Sequence, residues 1–237
     1  AWLERGLVAQ GLKTDFVHLD HGMTRINVKI KAGQETELNG AGPDIPESAM
    51  QALEEKLDRL QKGDILILAG SIPASLAQTT YERILARLEG RDIRAVVDAT
   101  CDLLVNVLRY KPFLIKPNNH ELSEIAGVKL TNDNEIVTAA RMMQAKGARN
   151  VLVSMAGDGA LLLDEQGGVH RIGCPKGKVV NSVGAGDSMV AGFVAGYQQS
   201  GGDYAAALKL GTACGSATAF SLGLATKADI DKLLKTM

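Results

Sequence analysis

Asp64-Ile65-Leu66-Ile67-Leu68-Ala69 is an unbroken apolar run behind a single acidic residue, with the length of one buried strand. Similar short runs recur at 95–98, 113–116 and 151–154, and segments with helical periodicity lie between them. Apolar strands that alternate with amphipathic helices are typical of a parallel sheet covered on both faces. The sequence therefore predicts an α/β fold with a doubly wound, mostly parallel sheet flanked by helices.

The segments around these strands complete the predicted architecture. Helices are predicted at 48–61, up to Ala86, and at about 103–108, 119–126 and 133–146. After Ser154 we expect a hairpin of residues 160–164 and 169–172, followed by helices from Asp187 onward. In open α/β sheets, ligands bind beyond the carboxyl ends of the strands. The polar residues that directly follow each strand are therefore the candidate site residues.

Residues 15–39 have a different pattern from the rest of the chain. Side chains from Thr24 to Ile30 alternate between polar and apolar, Ala32-Gly33-Gln34 is a predicted turn, and 35–39 is a second, polar strand. We predict a small β hairpin with one solvated face. Residues 1–7 have the pattern of a helix interior and begin without methionine, so we expect further residues before Ala1.

Composition and charge argue against several classes of function. The 237 residues carry a formal net charge of −1, which disfavours nucleic acid and anionic membranes as partners. The longest apolar stretch, 189–197, is shorter than the roughly 20 residues that span a bilayer. Cys101, Cys174 and Cys214 lie far apart without metal-ligand spacing, as expected of reduced thiols in a cytoplasmic protein. The histidines form no ligand pattern, so we expect no transition-metal site.

The segment most indicative of chemistry is Asn181-Ser182-Val183-Gly184-Ala185-Gly186-Asp187-Ser188, which leads into a helix of small residues. Its glycines allow backbone N–H groups to converge on an anion at the helix N-terminus, where the helix dipole adds positive potential. Asp187 is either an ordinary acid of a first helical turn or a base that accepts a proton from an attacking alcohol. The segment matches neither GxxxxGK[ST] nor GxGxxG, the two common nucleotide-binding patterns.

Asn181 to Val194 resembles the signature of the ribokinase-like, PfkB-type carbohydrate kinases, and other elements of that family follow in the same order. The resemblance covers nearly the whole chain. It implies one ribokinase-like kinase domain, residues 1–237, that lacks its N-terminal strands and in which about 15–39 contributes to a small β-sheet lid. The family's G-A-G-D segment supplies the anion hole and the catalytic base, which implies these catalytic residues: Gly184, Ala185, Gly186 and, as the base, Asp187.

The resemblance extends to a nucleotide and metal site. Lys116-Pro117-Asn118-Asn119-His120-Glu121 resembles the family's K-P-N-x-x-E, which implies that Lys116 meets a nucleotide phosphate and that Asn118 and Glu121 face Mg²⁺. Asn118 and Glu121 lie one helical turn apart and carry the oxygen ligands that Mg²⁺ prefers. The alternative is a strand end followed by an ordinary helix start.

Two further segments resemble family elements that hold ATP. Ser154 to Ala160 is similar to the nucleotide loop S-x-G-x-x-G-A, with Ala156 in place of the first glycine. Gly211 to Ala217 is similar to the small-residue helix that packs against adenine and ribose. The alternatives are a glycine turn between two strands and close helix packing. The candidates for cofactor binding from these segments are Ser154, Ala156, Gly157, Gly159, Thr212 and Ser216.

The cofactors implied by the resemblance are ATP and Mg²⁺. A monovalent cation such as K⁺ is a further candidate. Its implied ligands are backbone groups near Asn181, Val183, Thr218, Ser221 and Gly223.

The candidate substrate residues lie in the predicted hairpin and after the first apolar strand. Arg25, Asn27 and Lys29 are spaced i, i+2 and i+4 and would share one strand face that suits a phosphate, with a solvated hairpin face as the alternative. The hairpin resembles the subgroup that acts on hexose phosphates, in which Arg25 reaches the substrate phosphate. Gly70-Ser71-Ile72-Pro73 resembles G-S-[LI]-P, whose serine contacts the sugar; the alternative for Ser71 is a helix cap.

The resemblance implies ATP-dependent phosphorylation of a ketohexose phosphate to a bisphosphate. Fructose 1-phosphate, giving fructose 1,6-bisphosphate, is the nearest match, and tagatose 6-phosphate and fructose 6-phosphate are alternatives. A nucleoside kinase or a kinase of unphosphorylated sugars with the same fold is a more remote alternative, and a nucleotide-binding regulatory module is the non-enzyme one. The implied partners are the sugar phosphate and ATP, and the exposed hairpin face favours a homodimer through the β lid.

Overall fold

The computed structural model describes residues 2–32 and 34–237. The chain forms two compact units, one of Ala1–Gln61 with Ile72–Thr80 and one of Lys62–Ser71 with Tyr81–Met237. Among the described residues, no helix has both the length and the apolar character that crossing a bilayer requires.

The first unit contains the predicted hairpin. It begins with α1 (Trp2–Ala9), continues through a segment without helix or strand to β1 (Asn27–Ala32) and β2 (Gln34–Asn39), and includes α2 (Glu47–Leu57). β1 and β2 are antiparallel, with Val28 opposite Leu38 and Lys29 opposite Glu37. The prediction of a small antiparallel sheet in this part of the chain is confirmed.

The first strand begins at Asn27 and not at Thr24 as the alternation predicts. The Gly40 N–H still donates to the Ile26 carbonyl at 3.2 Å. Beyond this bond Gly42 has a left-handed φ of +80°, and Pro43 has no N–H to donate, so the pairing stops. The predicted turn is centred on Gly33, which lies outside the described residues.

An apolar face of the hairpin is exposed. Ile26, Val28 and Ile30 alternate along the chain, Leu38 lies opposite Val28, and these side chains are between 43% and 57% exposed. Lys29 and Glu37 are also exposed and form an ion pair across the two strands. Both faces of the hairpin are therefore accessible to solvent, and not only the polar one.

The second unit is built on a six-stranded sheet whose strands lie side by side in chain order. They are β3 (Ile65–Ala69), β4 (Arg94–Asp98), β5 (Leu114–Ile115), β6 (Asn150–Ser154), β7 (Ala160–Leu163) and β8 (Val169–Ile172). The strands from β3 to β6 are parallel, and β7 is antiparallel to both β6 and β8. The prediction of a mostly parallel sheet in an α/β fold is confirmed.

Helices connect and cover these strands. The parallel strands are linked by α3 (Thr80–Arg87), by α4 (Cys101–Val107), and by α5 (Asn119–Ala126) with α6 (Asp133–Ala145). The chain continues after β8 with α7 (Ala185–Gln199), α8 (Tyr204–Ala219) and α9 (Lys227–Leu234). Because crossovers between parallel strands are right-handed, strands in chain order place their crossover helices on one face of the sheet.

Alternating side chains bury both faces of the sheet. One face packs against α7 and α8 in a single cluster that includes Val96, Leu114, Leu152, Leu162 and Phe193. The residues between them, such as Val97, Ile115 and Val151, are also fully buried and point to the opposite face, where α6 contacts β6 and β7. Each large side chain buried in this way contributes about 1.5–3 kcal/mol. Helices therefore flank the sheet on both sides, as predicted.

Glycines bring α7 and α8 together main chain to main chain. A Cβ atom at Gly196 would lie 2.9 Å from the Ala207 Cα, and one at Gly211 would lie 2.9 Å from the Met189 carbonyl oxygen. A Cβ at Gly192 would lie 2.6 Å from the Cys214 Sγ, and one at Gly215 would lie 3.0 Å from the Ala185 carbonyl oxygen. We call Gly192, Gly196, Gly211 and Gly215 the glycine seam. Because no side chain fits in it, the first turns of α7 are held directly against α8.

Candidate active site

A cavity of about 490 Å³ opens beyond the carboxyl ends of β5 and β6. Its walls come from the segment after β5, the turn between β6 and β7, the start of α7 and the last turns of α8. Most of the predicted cofactor-binding residues line it, namely Lys116, Asn118, Ser154, Ala156, Gly157, Gly159 and Ser216. Two of the predicted catalytic residues, Ala185 and Gly186, line it as well.

The loop before α7 has the geometry of an anion site. Gly184 takes a left-handed φ of +78°, and a Cβ there would lie 2.8 Å from the Leu224 Cδ2, so only glycine fits without strain. The first turn of a helix leaves its N–H groups without intrahelical partners, and they point at whatever lies before the helix. A Cβ on Gly186 would lie 3.3 Å from the Lys116 Nζ, so an ammonium group already borders this loop. Helix N-terminus and lysine together favour a phosphate.

Lys116 forms a largely buried ion pair with Asp98. The Lys116 Nζ lies 3.2 Å from the Asp98 Oδ1, and the two side chains are only 7% and 18% exposed. Burial raises the pKa of Asp98, Lys116 opposes that shift, and the negative charges of Asp187 and Glu121 add to it. Asp98 is not among the residues predicted from the sequence, although it is a polar residue at the end of an apolar strand. Asp187 and Glu121 therefore lie within electrostatic reach of the Asp98 carboxylate.

Asp187 lies in the first turn of α7 with its side chain exposed. Its charge contributes to the raised pKa of Asp98, which places its carboxylate near the Lys116 pair. An exposed carboxylate beside an anion site can accept a hydrogen bond, and then a proton, from an alcohol that approaches the anion. This arrangement is compatible with the predicted role as a base and shows no burial against the core.

Asn118 and Glu121 form a capping box at the start of α5. The Asn118 Oδ1 accepts hydrogen bonds from the N–H groups of His120 and Glu121, both at 2.9 Å, and the Glu121 Oε2 accepts one from the Asn118 N–H at 2.8 Å. An amide oxygen has two acceptor positions. Direct binding of a metal ion by Asn118 would therefore require this cap to open, whereas Glu121 keeps a second oxygen.

The residues at this edge of the sheet fit a hydrated divalent cation by their chemistry. Mg²⁺ takes oxygen ligands and usually keeps several water molecules. The three carboxylates of Asp98, Glu121 and Asp187 carry more negative charge than Lys116 alone can neutralise. Asp98 and Glu121 also lie near each other. No group of three or more His, Cys, Asp or Glu side chains in the described part of the chain already converges as a metal cage. The site thus suits a cation that is held partly by phosphate and water.

The turn between β6 and β7 explains why the family pattern places a glycine at position 156. Ala156 has a left-handed φ of +46°, a conformation that costs a residue with a side chain about 1–2 kcal/mol and glycine almost nothing. Gly159 has a φ of +92°, and a Cβ there would lie 2.1 Å from the Ile172 carbonyl oxygen. The segment is therefore a tight turn that also lines the cavity. A glycine turn and a nucleotide loop, the two interpretations of this segment, are compatible with each other.

Ser216 and Thr212 differ in their positions on α8. Ser216 lines the cavity, and its Oγ lies 3.6 Å from the Cys174 Sγ, a second cavity residue. Thr212 is 1% exposed and does not line the cavity. Its hydroxyl has no hydrogen-bond partner within the described structure. The structure thus places Thr212 in the packing beside the glycine seam.

Replacing Thr212 with Val should stabilise the protein. The substitution keeps the branched shape and removes a buried hydroxyl whose lack of a partner costs about 1 kcal/mol or more. We expect the free energy of unfolding, measured by urea denaturation, to rise by about 1 kcal/mol, with an unchanged KM for ATP. A KM for ATP that rises several-fold would instead support the predicted role of Thr212 in cofactor binding.

The predicted substrate residues of the hairpin lie in the first unit. Asn27 lies opposite Asn39, and the Lys29 Nζ lies 2.5 Å from the Glu37 Oε1, a contact that lowers the pKa of Glu37. Arg25 precedes β1 and so does not share its strand face with Asn27 and Lys29. Its stem runs along the glycine segment, because Cβ atoms on Gly40 and Gly42 would lie 3.6 and 3.5 Å from it.

Ser71 lies in the second unit, immediately after β3. Gly70, with a φ of +88°, donates its N–H to the Asp98 carbonyl at 3.0 Å, so the chain leaves β3 beside the end of β4. The next helix starts at Thr80, and no helix begins at Ser71. The alternative of a helix cap is therefore not realised.

The segments named for a monovalent cation lie side by side. The Asn181 Nδ2 donates to the Leu222 carbonyl at 3.0 Å, and the Val180 and Asn181 N–H groups donate to the Ala219 carbonyl. The Thr218 Oγ1 donates to the Ser188 Oγ at 2.9 Å. The hydrogen bonds tie the loop before α7 to the end of α8.

Comparison with known proteins gives consistent matches over almost the entire chain. The model of the pfkB family of carbohydrate kinases matches residues 2–231. The chain is 46% identical over 233 residues to a 1-phosphofructokinase of Bacillus subtilis, covering 98% of this chain and 76% of that protein. It is 35% identical over 236 residues to a D-tagatose-1-phosphate kinase of Bacillus licheniformis, covering 99% of this chain and 76% of the relative.

A solved structure shows the same fold. The phosphofructokinase-2 of Escherichia coli in complex with potassium superimposes with a TM-score of 0.88 at 26% identity, covering 99% of this chain and 77% of the other.

Proposed function

This chain belongs to the pfkB family of carbohydrate kinases, and on that premise we propose that it transfers the γ-phosphoryl group of ATP to a ketohexose phosphate. The observation that carries the proposal is the meeting of the Lys116 ammonium, the Gly186 backbone and the exposed Asp187 at the carboxyl edge of the sheet. Phosphoryl transfer depends mainly on positioning and on neutralising charge. This edge of the sheet supplies groups for positioning the reactants and for neutralising charge.

Each group has a defined part in the proposed reaction. The N–H groups of Gly184 and Gly186 would bind the oxygens of the phosphoryl group during its transfer, and Lys116 would bind a nucleotide phosphate. The Ala185 N–H, which donates to the Ser182 carbonyl at 3.2 Å, would join them on leaving that carbonyl. Asp187 would orient the attacking hydroxyl and accept its proton. The cavity beyond the Gly186 wall, with Ser216 and the turn at Ala156, would hold the rest of ATP.

Asn118 and Glu121, the two predicted metal residues, would hold Mg²⁺ at this edge together with Asp98, which the structure adds to them. A bound Mg²⁺ would neutralise phosphate charge. A K⁺ ion near Asn181 and Ser221 would act indirectly, by fixing the loop before α7. The potassium complex of the Escherichia coli relative supports this part of the proposal.

The hairpin would act as a lid in this reaction and as a contact between subunits. Arg25 would bind the phosphate that the sugar already carries, because arginine grips phosphate with paired hydrogen bonds. The exposed face of Ile26, Val28, Ile30 and Leu38 supports a homodimer formed through the hairpins, since a face of this kind gains stability when covered. A cytoplasmic location fits a kinase that draws on cellular ATP and sugar phosphates.

Fructose 1-phosphate is the substrate we propose, with tagatose 6-phosphate and fructose 6-phosphate as alternatives. The names of the two sequence relatives, 1-phosphofructokinase and D-tagatose-1-phosphate kinase, both place a phosphate at carbon 1. A coupled assay of ADP release by the complete protein should therefore give the highest kcat/KM with fructose 1-phosphate. Tagatose 1-phosphate, tagatose 6-phosphate and fructose 6-phosphate are assayed in parallel as comparison substrates. ATP binding in calorimetry without ADP release from any of these sugars would favour the regulatory module.

Replacing Arg25 with Ala tests the sugar-phosphate assignment in the same assay. Loss of a charge-assisted contact of about 1.5–3 kcal/mol should raise the KM for the sugar phosphate by about 10- to 100-fold and leave the KM for ATP unchanged. Arg59→Ala is the control, because Arg59 is another exposed arginine of the first unit, paired with Asp15. An unchanged KM in Arg25→Ala would favour a kinase of nucleosides or unphosphorylated sugars.

A further inference from the structure

Tyr81 lies in the first turn of α3 and reaches back to the end of β3. Its hydroxyl donates to the Ala69 carbonyl at 2.9 Å and lies 3.1 Å from the Gly70 carbonyl. These are the last residues before Ser71. One side chain thus fixes the chain at the point where it leaves the sheet.

A second contact fixes the same point from the other side. The Gly70 N–H donates to the Asp98 carbonyl at 3.0 Å. Asp98 in turn pairs with Lys116, whose ammonium borders Gly186. A continuous set of contacts therefore runs from Gly70, the residue before Ser71, through Asp98 and Lys116 to the first turn of α7.

The Tyr81 hydroxyl remains a hydrogen-bond donor at neutral and moderately alkaline pH. Burial raises the pKa of this tyrosine, and the charge of Asp98 raises it further. A deprotonated oxygen could not donate to the two carbonyl groups. The contact is therefore present wherever the proposed reaction would be measured.

The Ser71 segment needs such a contact because it lacks regular structure. Residues 71–79 form turns between β3 and α3, without a helix or strand of their own. Gly70 has a φ of +88°, and glycine is the residue with the most backbone freedom to lose. The contacts of Ala69 and Gly70 fix the backbone from which Ser71 leaves the sheet.

We propose that Tyr81 is a positioning residue for the sugar, which holds Ala69 and Gly70 so that Ser71 meets the substrate beside Asp98. This inference rests on the proposed function. Tyr81 touches no reacting atom and acts only through the Ser71 segment. It therefore belongs to the binding of the sugar phosphate and not to that of ATP.

The variant Tyr81→Phe removes only the hydroxyl. One hydrogen bond is lost and residues 71–79 become less ordered, so the KM for the sugar phosphate should rise about three- to tenfold. The KM for ATP should stay within about twofold of the original value. A merely structural role would lower the amount of folded enzyme and would leave both KM values unchanged.

Tyr204→Phe is the matched control. The Tyr204 hydroxyl donates to the Glu165 Oε1 at 2.7 Å at the start of α8, so this variant also loses one tyrosine hydrogen bond in the second unit. It should lower the melting temperature without changing either KM.

A double-mutant cycle with Ser71→Ala completes the test. If Tyr81 acts through Ser71, Tyr81→Phe should add little to the KM for sugar phosphate once Ser71 is Ala. Additive effects, or an unchanged KM in Tyr81→Phe, would overturn the inference while the unmodified protein still phosphorylates sugar. Absence of ADP release by the unmodified protein would instead overturn the proposed function.

Discussion

Replacing Asp187 with Asn in the complete protein should lower kcat by about 10²- to 10⁴-fold, the range that general acid–base catalysis contributes. Asparagine has the size of aspartate and keeps the backbone N–H groups of the loop in place, but it cannot accept a proton from the attacking hydroxyl. ATP binding, measured by calorimetry, should change little. The loss should therefore fall on kcat and not on the KM for ATP.

Asp203→Asn is the control for this substitution. Asp203 caps the start of α8, where its side chain accepts from the N–H groups of Ala205 and Ala206, and asparagine is an equally good cap. The control makes the same chemical change at the neighbouring helix and should retain full turnover. Near-normal kcat in Asp187→Asn would show that the proton goes elsewhere.

Replacing Lys116 with Met should destabilise the second unit by about 3 kcal/mol at pH 8, because removing one partner of a buried ion pair leaves the other charge uncompensated. Methionine keeps most of the length and volume of the lysine side chain, so the loss comes from charge and not from a cavity. The measurement is urea denaturation followed by circular dichroism.

The loss should depend on pH in a defined direction. Burial raises the pKa of Asp98 above its ordinary value of 3.8, so the folded state binds a proton more readily than the unfolded state. Stability therefore falls as the pH rises through the folded-state pKa. Lys116 limits this effect, and without it the pKa of Asp98 moves further up. The difference in the free energy of unfolding between Lys116→Met and the original protein should shrink as the pH is lowered from 8 to 5.

Lys62→Met provides the comparison. Lys62 forms an ion pair with Asp92 in the same unit, and the two side chains are 82% and 63% exposed. Exposed pairs of this kind contribute at most about 1 kcal/mol. A loss in Lys116→Met no larger than that in Lys62→Met, or one that does not change with pH, would contradict the account of the Asp98 pair.

The sheet could be predicted because burial leaves apolar runs in the sequence. Predicted and observed strands agree within a residue at Ile65–Ala69, Arg94–Asp98 and Asn150–Ser154. The strand at Leu114–Ile115 is shorter than the predicted 113–116, although Phe113 and Lys116 still form main-chain hydrogen bonds with Asn150 and Val97. Exposed segments carry a weaker pattern, which is why the first hairpin strand is placed too early.

The contacts of the site could be predicted only in part. Asn118 and Glu121 have the spacing of a capping box as well as that of the family motif, so the pattern alone does not separate the two. Asp98 and Tyr81 can be recognised only from the structure, because their partners are distant in sequence. Asp98 pairs with Lys116, and Tyr81 contacts the Gly70 carbonyl. The left-handed backbone of Ala156 is also hidden from the sequence, because alanine rarely marks such a conformation.

The glycine seam has a consequence for how this enzyme class can be inhibited. Two helices that touch main chain to main chain have almost no slack, so the wall that carries Gly184 and Gly186 should keep its shape when nucleotide arrives. Amides that are held in place in this way need little rearrangement at the moment of reaction. An inhibitor that binds this wall can therefore be designed against N–H donors whose positions change little. Any closure of the site during catalysis would then involve other parts of the cavity.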